Sequence, residues 1–341
     1  MPSGARRGSH AFQVAGVAPR SPRKRNGRML EHAMTEYKKR VSDVRGGSKA
    51  RPRDPNERRA QFEAYADIFK EPYPASITVT NWFIAAPGRE IPVRIYSQKT
   101  DEKQPTIVYF HGGGYMSGSL YTHDTVVANL AAGTGAQIVA VHYRRAPENP
   151  YPAAVDDGFF TLQWLEKYAD RYKIDLDRLG IAGDSAGGGL TAAISMMSRD
   201  RQGPKLAMQV LLYPGPMNTD LETDSYVRIS HDPQFNKNDL EFYLKAYLSD
   251  KLDTKDPYAV PLQATNYADL PPAFIHVAEL DPLYDEGLLY GERMNADGAH
   301  AEVRVAKNLE HSFLRAVTVS PEAREEAAYL YAAIKRGLRI G

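Results

Sequence analysis

From Thr106 onward, short apolar runs alternate with longer stretches whose apolar residues recur at helical spacing, and this alternation constrains the fold more than any other feature of the chain. The runs Thr106–Phe110, Gln137–Val141, Leu179–Ala182, Met208–Tyr213, Ala273–Ala278 and Ala301–Val305 read as strands. Helical stretches lie near Thr122–Ala132, near Ala153–Tyr172, from Ala186, and near Asp285–Asp297. A last helix is opened by Ser320-Pro321-Glu322, with Ser320 as N-cap and Pro321 where its missing N–H does no harm. Strands joined through helices imply a mostly parallel sheet covered on both faces, an α/β architecture. Two earlier runs, Ile77–Ala85 and Ile91–Tyr96, flank Pro87-Gly88 and predict a hairpin, with Pro92 suited to an edge strand. The expected sheet therefore has eight strands.

With 341 residues, 43% of them hydrophobic, the chain can build such a core as one large domain. It has no cysteine, which excludes disulfides, thiolate metal sites and a cysteine nucleophile. No apolar run approaches the roughly 18–20 residues that span a bilayer, so a soluble, cytoplasmic protein is the expectation. The net charge of +1 joins unlike parts. Residues 1–60 carry 16 Lys+Arg and 5 Asp+Glu, whereas the remainder carries 27 and 37. An acidic body is not expected to bind nucleic acid. Residues 1–55, rich in Arg, Ser, Gly and Pro, read as a basic, disordered tail, with an Arg-rich transit segment or initiation at Met34 as the alternatives.

A helical pattern begins near Asn56 with Ala60, Phe62, Tyr65, Ile68 and Phe69. Between Pro214 and Asp256 the alternation lapses, leaving only a helical pattern of Leu240, Tyr243, Leu244, Tyr247 and Leu248. An insertion there belongs at the carboxyl edge of the sheet, where open α/β folds bind ligands. Residues 56–341 are thus read as the catalytic domain, with a cap from about 56–75 and 214–256. Strand Ala301–Val305 offers an edge for a homodimer.

The chemistry concentrates in three places. Gly183-Asp184-Ser185-Ala186-Gly187 joins a strand to a helix, a sharp turn that lifts the serine hydroxyl above the sheet and needs small residues two positions away on either side. Ser185 is the expected nucleophile. His111-Gly112-Gly113-Gly114-Tyr115 follows Thr106–Phe110, and its glycines can present N–H groups to a developing oxyanion. Gly112, Gly113 and Ala186 are the expected donors, His111 a structural brace, and Tyr115 and Asp184 substrate-contacting residues. A serine nucleophile needs a base and an orienting carboxylate, which in this topology follow in the order acid, then histidine. Of the nine histidines, His300 precedes the last strand and His311 follows it, so His311 is the expected base. Asp281, at a strand end before Pro282, is the expected carboxylate, with Asp285 as runner-up because it also suits the first turn of the next helix.

These residues resemble the hormone-sensitive-lipase family of α/β-hydrolases, the bacterial family IV esterases. The resemblance spans roughly Asn56–Gly341. It rests on His111–Gly114, on Gly183 through Gly188, on Asp281-Pro282-Leu283 with His311, and on Tyr143-Arg144-Arg145-Ala146-Pro147-Glu148 through Tyr151–Asp157. It implies an α/β-hydrolase fold with a cap, and hydrolysis of small-molecule carboxylic esters of short or medium acyl chain. The triad chemistry needs no metal or organic cofactor. Two features depart from the family pattern: Ser312 stands where glycine is frequent, and the first fifty residues match nothing. An amidase or deacetylase would use the same triad. A non-catalytic receptor on this fold is the reading from a different class, disfavoured because the triad is complete.

Overall fold

In a sheet covered on both faces a central strand has no solvent side, and three of the central strands here are buried along their whole length. We describe the protein from a computed structural model in which residues 24–25, 28–29, 34–46, 51–229 and 235–341 are described. In the first 32 residues, Lys24–Arg25 and Arg28–Met29 pair as a short antiparallel ribbon. The body, Ala33–Gly341, holds one sheet. Its strands are β1 (Ile77–Ala86), β2 (Arg89–Gln98), β3 (Gln104–Phe110), β4 (Gln137–Val141), β5 (Ile174–Asp184), β6 (Met208–Leu212), β7 (Ala273–Leu280) and β8 (Ala301–Glu310). Strands β3, β4 and β6 are buried at every position, as strands between two helical layers must be.

The strand order is β8-β7-β6-β5-β3-β4-β2-β1, parallel from β8 to β4 and antiparallel across β4-β2 and β2-β1. The expected hairpin is β1-β2, but β2 is an inner strand. Pro92 is tolerated there because the ladder with β4 begins one residue later, at Val93 opposite Val141. Register at the carboxyl ends of the strands sets which loops meet. Phe110 lies opposite Gly183, and Glu310 opposite Leu280, so His111 emerges beside the Ser185 turn and His311 beside Asp281.

The helices are α1 (Thr35–Val44), α2 (Pro55–Ile68), α3 (Asp124–Thr134), α4 (Ala153–Lys167), α5 (Ala186–Asp200), α6 (Asp224–Arg228), α7 (Lys237–Leu248), α8 (Tyr284–Ala296) and α9 (Pro321–Gly337). One face of the sheet packs on α4, α5 and α8, and the other on α3 and α9. Helix α5 is buried continuously from Ala186 to Ser198, which fixes the turn before it from below. Among the described residues no helix is long and apolar enough to cross a membrane.

The body starts earlier than the expected boundary at Asn56. Met34 and Val41 are buried, Val41 clusters with Tyr65 and Phe69, and the Tyr37 ring stacks on Phe69 at 4.8 Å. Met34, Tyr37 and Val41 sit at helical spacing, a weak apolar stripe that the surrounding basic residues conceal. Of the expected tail, residues 1–23, 26–27, 30–33 and 47–50 lie outside the described residues. Helix α2 is capped by Asp54, whose carboxylate accepts from the N–H groups of Asn56 and Glu57. Arg58 on α2 pairs with Asp239 on α7 at 3.2 Å and donates to the Tyr243 hydroxyl at 2.8 Å, joining the two segments expected to form the cap.

Candidate active site

The turn from β5 into α5 leaves Ser185 at φ 54°, ψ −122°, a backbone conformation costly for a non-glycine residue. Hydrogen bonds hold it: Ser185 N–H donates to the Leu212 carbonyl, and the Ser185 carbonyl accepts from Gly189 and Gly215. A Cβ at Gly183 would meet the Gly187 carbonyl oxygen at 2.2 Å, and one at Gly187 would meet the Phe110 carbonyl oxygen at 2.0 Å. Only glycine fits either position, because the obstacle is backbone.

Ser185 Oγ lies 2.9 Å from His311 Nε2, and His311 Nδ1 lies 2.7 Å from Asp281 Oδ2. A carboxylate can only accept, so Nδ1 carries the proton and Nε2 is left as an acceptor facing the hydroxyl. Asp281 is fully buried, and its other oxygen accepts from Leu283 N–H at 2.9 Å. Phe235 stacks on the His311 ring at 4.3 Å and Tyr213 meets it edge-on at 5.1 Å. The runner-up Asp285 instead accepts from Ser225 N–H at the start of α6, and His300 is exposed. Glu286 is buried, accepting from Met217 N–H and the Tyr226 hydroxyl, and burial pushes its carboxyl up to about 7.

Three expectations need correction. Gly112 N–H donates to Asp184 Oδ1 at 2.9 Å, so it is not free to face an oxyanion. Gly113 and Gly114, the next two residues, line the cleft with Ser185 and His311. Asp184, although at the cleft wall, holds the loop with its carboxylate: besides Gly112, it accepts from the Tyr109 hydroxyl at 2.7 Å and lies 3.2 Å from His123 Nε2. Burial opposes its ionisation, but His123, Arg315 and Tyr109 outweigh burial and hold the carboxyl well below the usual range. Tyr115 does not line the cleft. It is buried, donates to the Pro216 carbonyl at 2.9 Å and stacks on Tyr247 of α7 at 3.9 Å, tying the glycine loop to the covering helix.

His111 is likewise a packing residue, with Nδ1 2.9 Å from the Gly112 carbonyl oxygen and its ring stacked on Tyr143 at 4.4 Å. Burial pushes its pKa well down, so it stays neutral. Ala186 opens α5, where an N–H has no partner inside the helix. A Cβ at Gly114 would strike the Tyr243 ring, so α7 rests directly on the glycine loop.

The cleft above Ser185 encloses ≈ 940 Å³ including its mouth, and is walled by Met34, Tyr37, Phe62 and Tyr65 from the N-terminal helices and by Phe235 and Tyr243 from the later segment. Sequence reasoning passed over His123, Arg315, Phe235 and Gly114. Gly114 could have been found as the third member of the glycine run, whereas the other three come from segments that only folding brings together.

The profile of the α/β hydrolase fold family matches residues 107–315. The chain is similar to Carboxylesterase NlhH of Mycobacterium tuberculosis, with 39% identity over 254 residues, 73% of this chain and 79% of that protein. It is also similar to Esterase LipI of the same organism, with 37% identity over 264 residues, 76% and 82% of the two chains. Among solved structures it superposes on a hyperthermophilic esterase from the archaeon Pyrobaculum calidifontis with TM-score 0.82, 34% identity, and coverage of 89% and 97%. With its fold, profile and relatives in agreement, the chain belongs to the α/β-hydrolase fold family, in the hormone-sensitive-lipase-like branch of serine carboxylesterases.

Proposed function

We propose that this protein hydrolyses carboxylic esters of short- to medium-chain acids through a Ser185–His311–Asp281 triad. The observation that carries the reading is the hydrogen-bonded chain from Asp281 through His311 to Ser185, ending at a cleft lined by Gly113 and Gly114. His311 Nε2 takes the hydroxyl proton as Ser185 Oγ bonds to the ester carbonyl carbon, and the resulting imidazolium is stabilised by Asp281. The oxyanion is held by the N–H groups of Gly113, Gly114 and Ala186. Collapse of the intermediate breaks the ester C–O bond, and His311 returns the proton to the leaving alcohol. Water, deprotonated by His311, then releases the acid and restores Ser185.

The test is hydrolysis of 4-nitrophenyl butanoate by Ser185→Ala, with the melting temperature as the measure of folding. The expected result is loss of about 10⁴-fold or more in kcat with an unchanged melt; wild-type turnover would refute the nucleophile. Across the same esters from acetate to palmitate, activity is expected to fall steeply beyond about eight carbons, because a cleft of this kind encloses only a drug-sized ligand.

A further inference from the structure

The cleft above Ser185 carries more positive charge than its own carboxylates answer. Its lining contains Arg45, Arg51, Arg58 and Arg315, against the carboxylates of Asp184 and Glu310. Four of these six are committed. Arg58 is paired with Asp239, and Glu310 with Lys38 at 2.9 Å. Asp184 faces His123, while Arg315 lies 2.9 Å from the same His123 ring and covers Phe62 at 4.5 Å.

Arg45 and Arg51 remain. Among the described residues, neither has a carboxylate within salt-bridge distance. Arg45 donates through Nε to the Tyr65 hydroxyl and lies over that ring. Arg51 lies over Phe235 at 5.6 Å with one terminal nitrogen 3.4 Å from the Tyr243 hydroxyl, and its Nε is buried without a hydrogen-bond partner. A buried guanidinium N–H left unpaired is costly, as is crowding two like charges around one wall. The acid whose charge acts on Arg51 is Asp239, already held by Arg58. The ring under Arg51 is the one stacked on His311, so this charge stands one aromatic ring from the base.

We propose that Arg45 and Arg51 bind a carboxylate carried by the substrate, making the preferred ester one that bears a second, ionised acid group: a half-ester of a dicarboxylic acid, or an ester of an alcohol that itself carries a carboxylate. The planar guanidinium fork suits a carboxylate and gives it two N–H donors. An anion there neutralises the excess charge, satisfies the orphaned Nε and anchors the ester at a fixed reach from Ser185. This inference rests on the ester-hydrolase reading of the same site.

Two matched pairs of esters test it. On the acyl side, monoethyl adipate is compared with ethyl hexanoate; on the alcohol side, 4-acetoxybenzoate is compared with 4-methylphenyl acetate. The expected result is that in at least one pair kcat/KM favours the anionic ester by about tenfold, and that added salt erodes the preference. Arg51→Gln and Arg45→Gln should each lower kcat/KM for that anionic ester about tenfold more than for its neutral partner, mostly through KM, while circular dichroism and melting temperature verify folding. Preference for the neutral ester in both pairs, or equal losses on both members of a pair, would overturn the proposal. Calorimetric binding of monoethyl adipate and of 4-acetoxybenzoate to Ser185→Ala separates it from the catalytic reading. If the wild type hydrolysed no ester, the function would fall, yet binding of either anion that Arg51→Gln in that background abolished would still support the anion site. Absence of binding to both would overturn it.

Discussion

At Ser185 the chain accepts a positive φ that a β-carbon disfavours, and Gly183 and Gly187 permit the close backbone approach that the turn requires. The residue scale also shows why Asp281 matters more than its charge alone. Both its oxygens are used, one by His311 and one by the Leu283 N–H, so the imidazole is fixed in one tautomer and one rotation. Asp281→Asn would present an N–H or a carbonyl to Nδ1 and allow the wrong tautomer. Its kcat is expected to fall about 10³–10⁴-fold with the fold retained, measured by steady-state kinetics beside a thermal melt. Ser185, His311 and Asp281 were legible because each follows a strand end in the required order. The glycine whose N–H is taken up inside the loop was not, because three consecutive glycines look alike in sequence. Only the Asp184 carboxylate, by taking the Gly112 N–H, distinguishes them.

Helices α2 and α7 meet through a buried charge, and this join is absent from any pattern in either segment. Arg58 and Asp239 are both shielded from water, so removing one strands the other. Arg58→Met is expected to destabilise the protein by about 3 kcal/mol, and adding Asp239→Leu to recover most of that, read from urea denaturation midpoints. A second join runs from α8 to the segment after β6. There Glu286 holds Met217 and Tyr226, with its carboxyl raised by burial to about 7 from an ordinary 4.5. Between those values the folded state keeps a proton that the unfolded chain has lost, so this group's contribution to stability falls as pH rises to about 7 and is level above it. Glu286→Gln stays neutral throughout. Relative to the wild type, its unfolding free energy is expected to improve by about 2 kcal/mol from pH 5 to pH 8; a constant difference across that range would contradict the buried proton. The helices themselves were readable from spacing, Leu240 to Leu248 above all, but which helix covers which strand end was not.

Over the whole molecule, the basic stretch from Met34 onward belongs to the same body as the acidic residues that follow it. Helix α1 and the residues flanking it supply Met34, Tyr37, Val41, Arg45 and Arg51 to the cleft wall. A chain beginning at Pro52 would uncover Tyr65 and Phe69 and lose the burial of Met34 and Val41, each worth about 1.5–3 kcal/mol. The melting temperature of that shortened chain is expected to drop by about 5 °C or more, followed by scanning calorimetry, with a wider and less selective cleft. The sequence by itself determined the layered α/β sheet, the turn that raises Ser185, and the order in which Asp281 and His311 follow it at strand ends, because these depend on local periodicity, backbone sterics and strand-end position. What tertiary structure alone decided was strand register, the engagement of the Gly112 N–H by Asp184, the other partners of Asp184 and those of His311, and the inclusion of the basic segment in the cleft. Each of those depends on contacts between residues far apart in the chain, which no local pattern encodes.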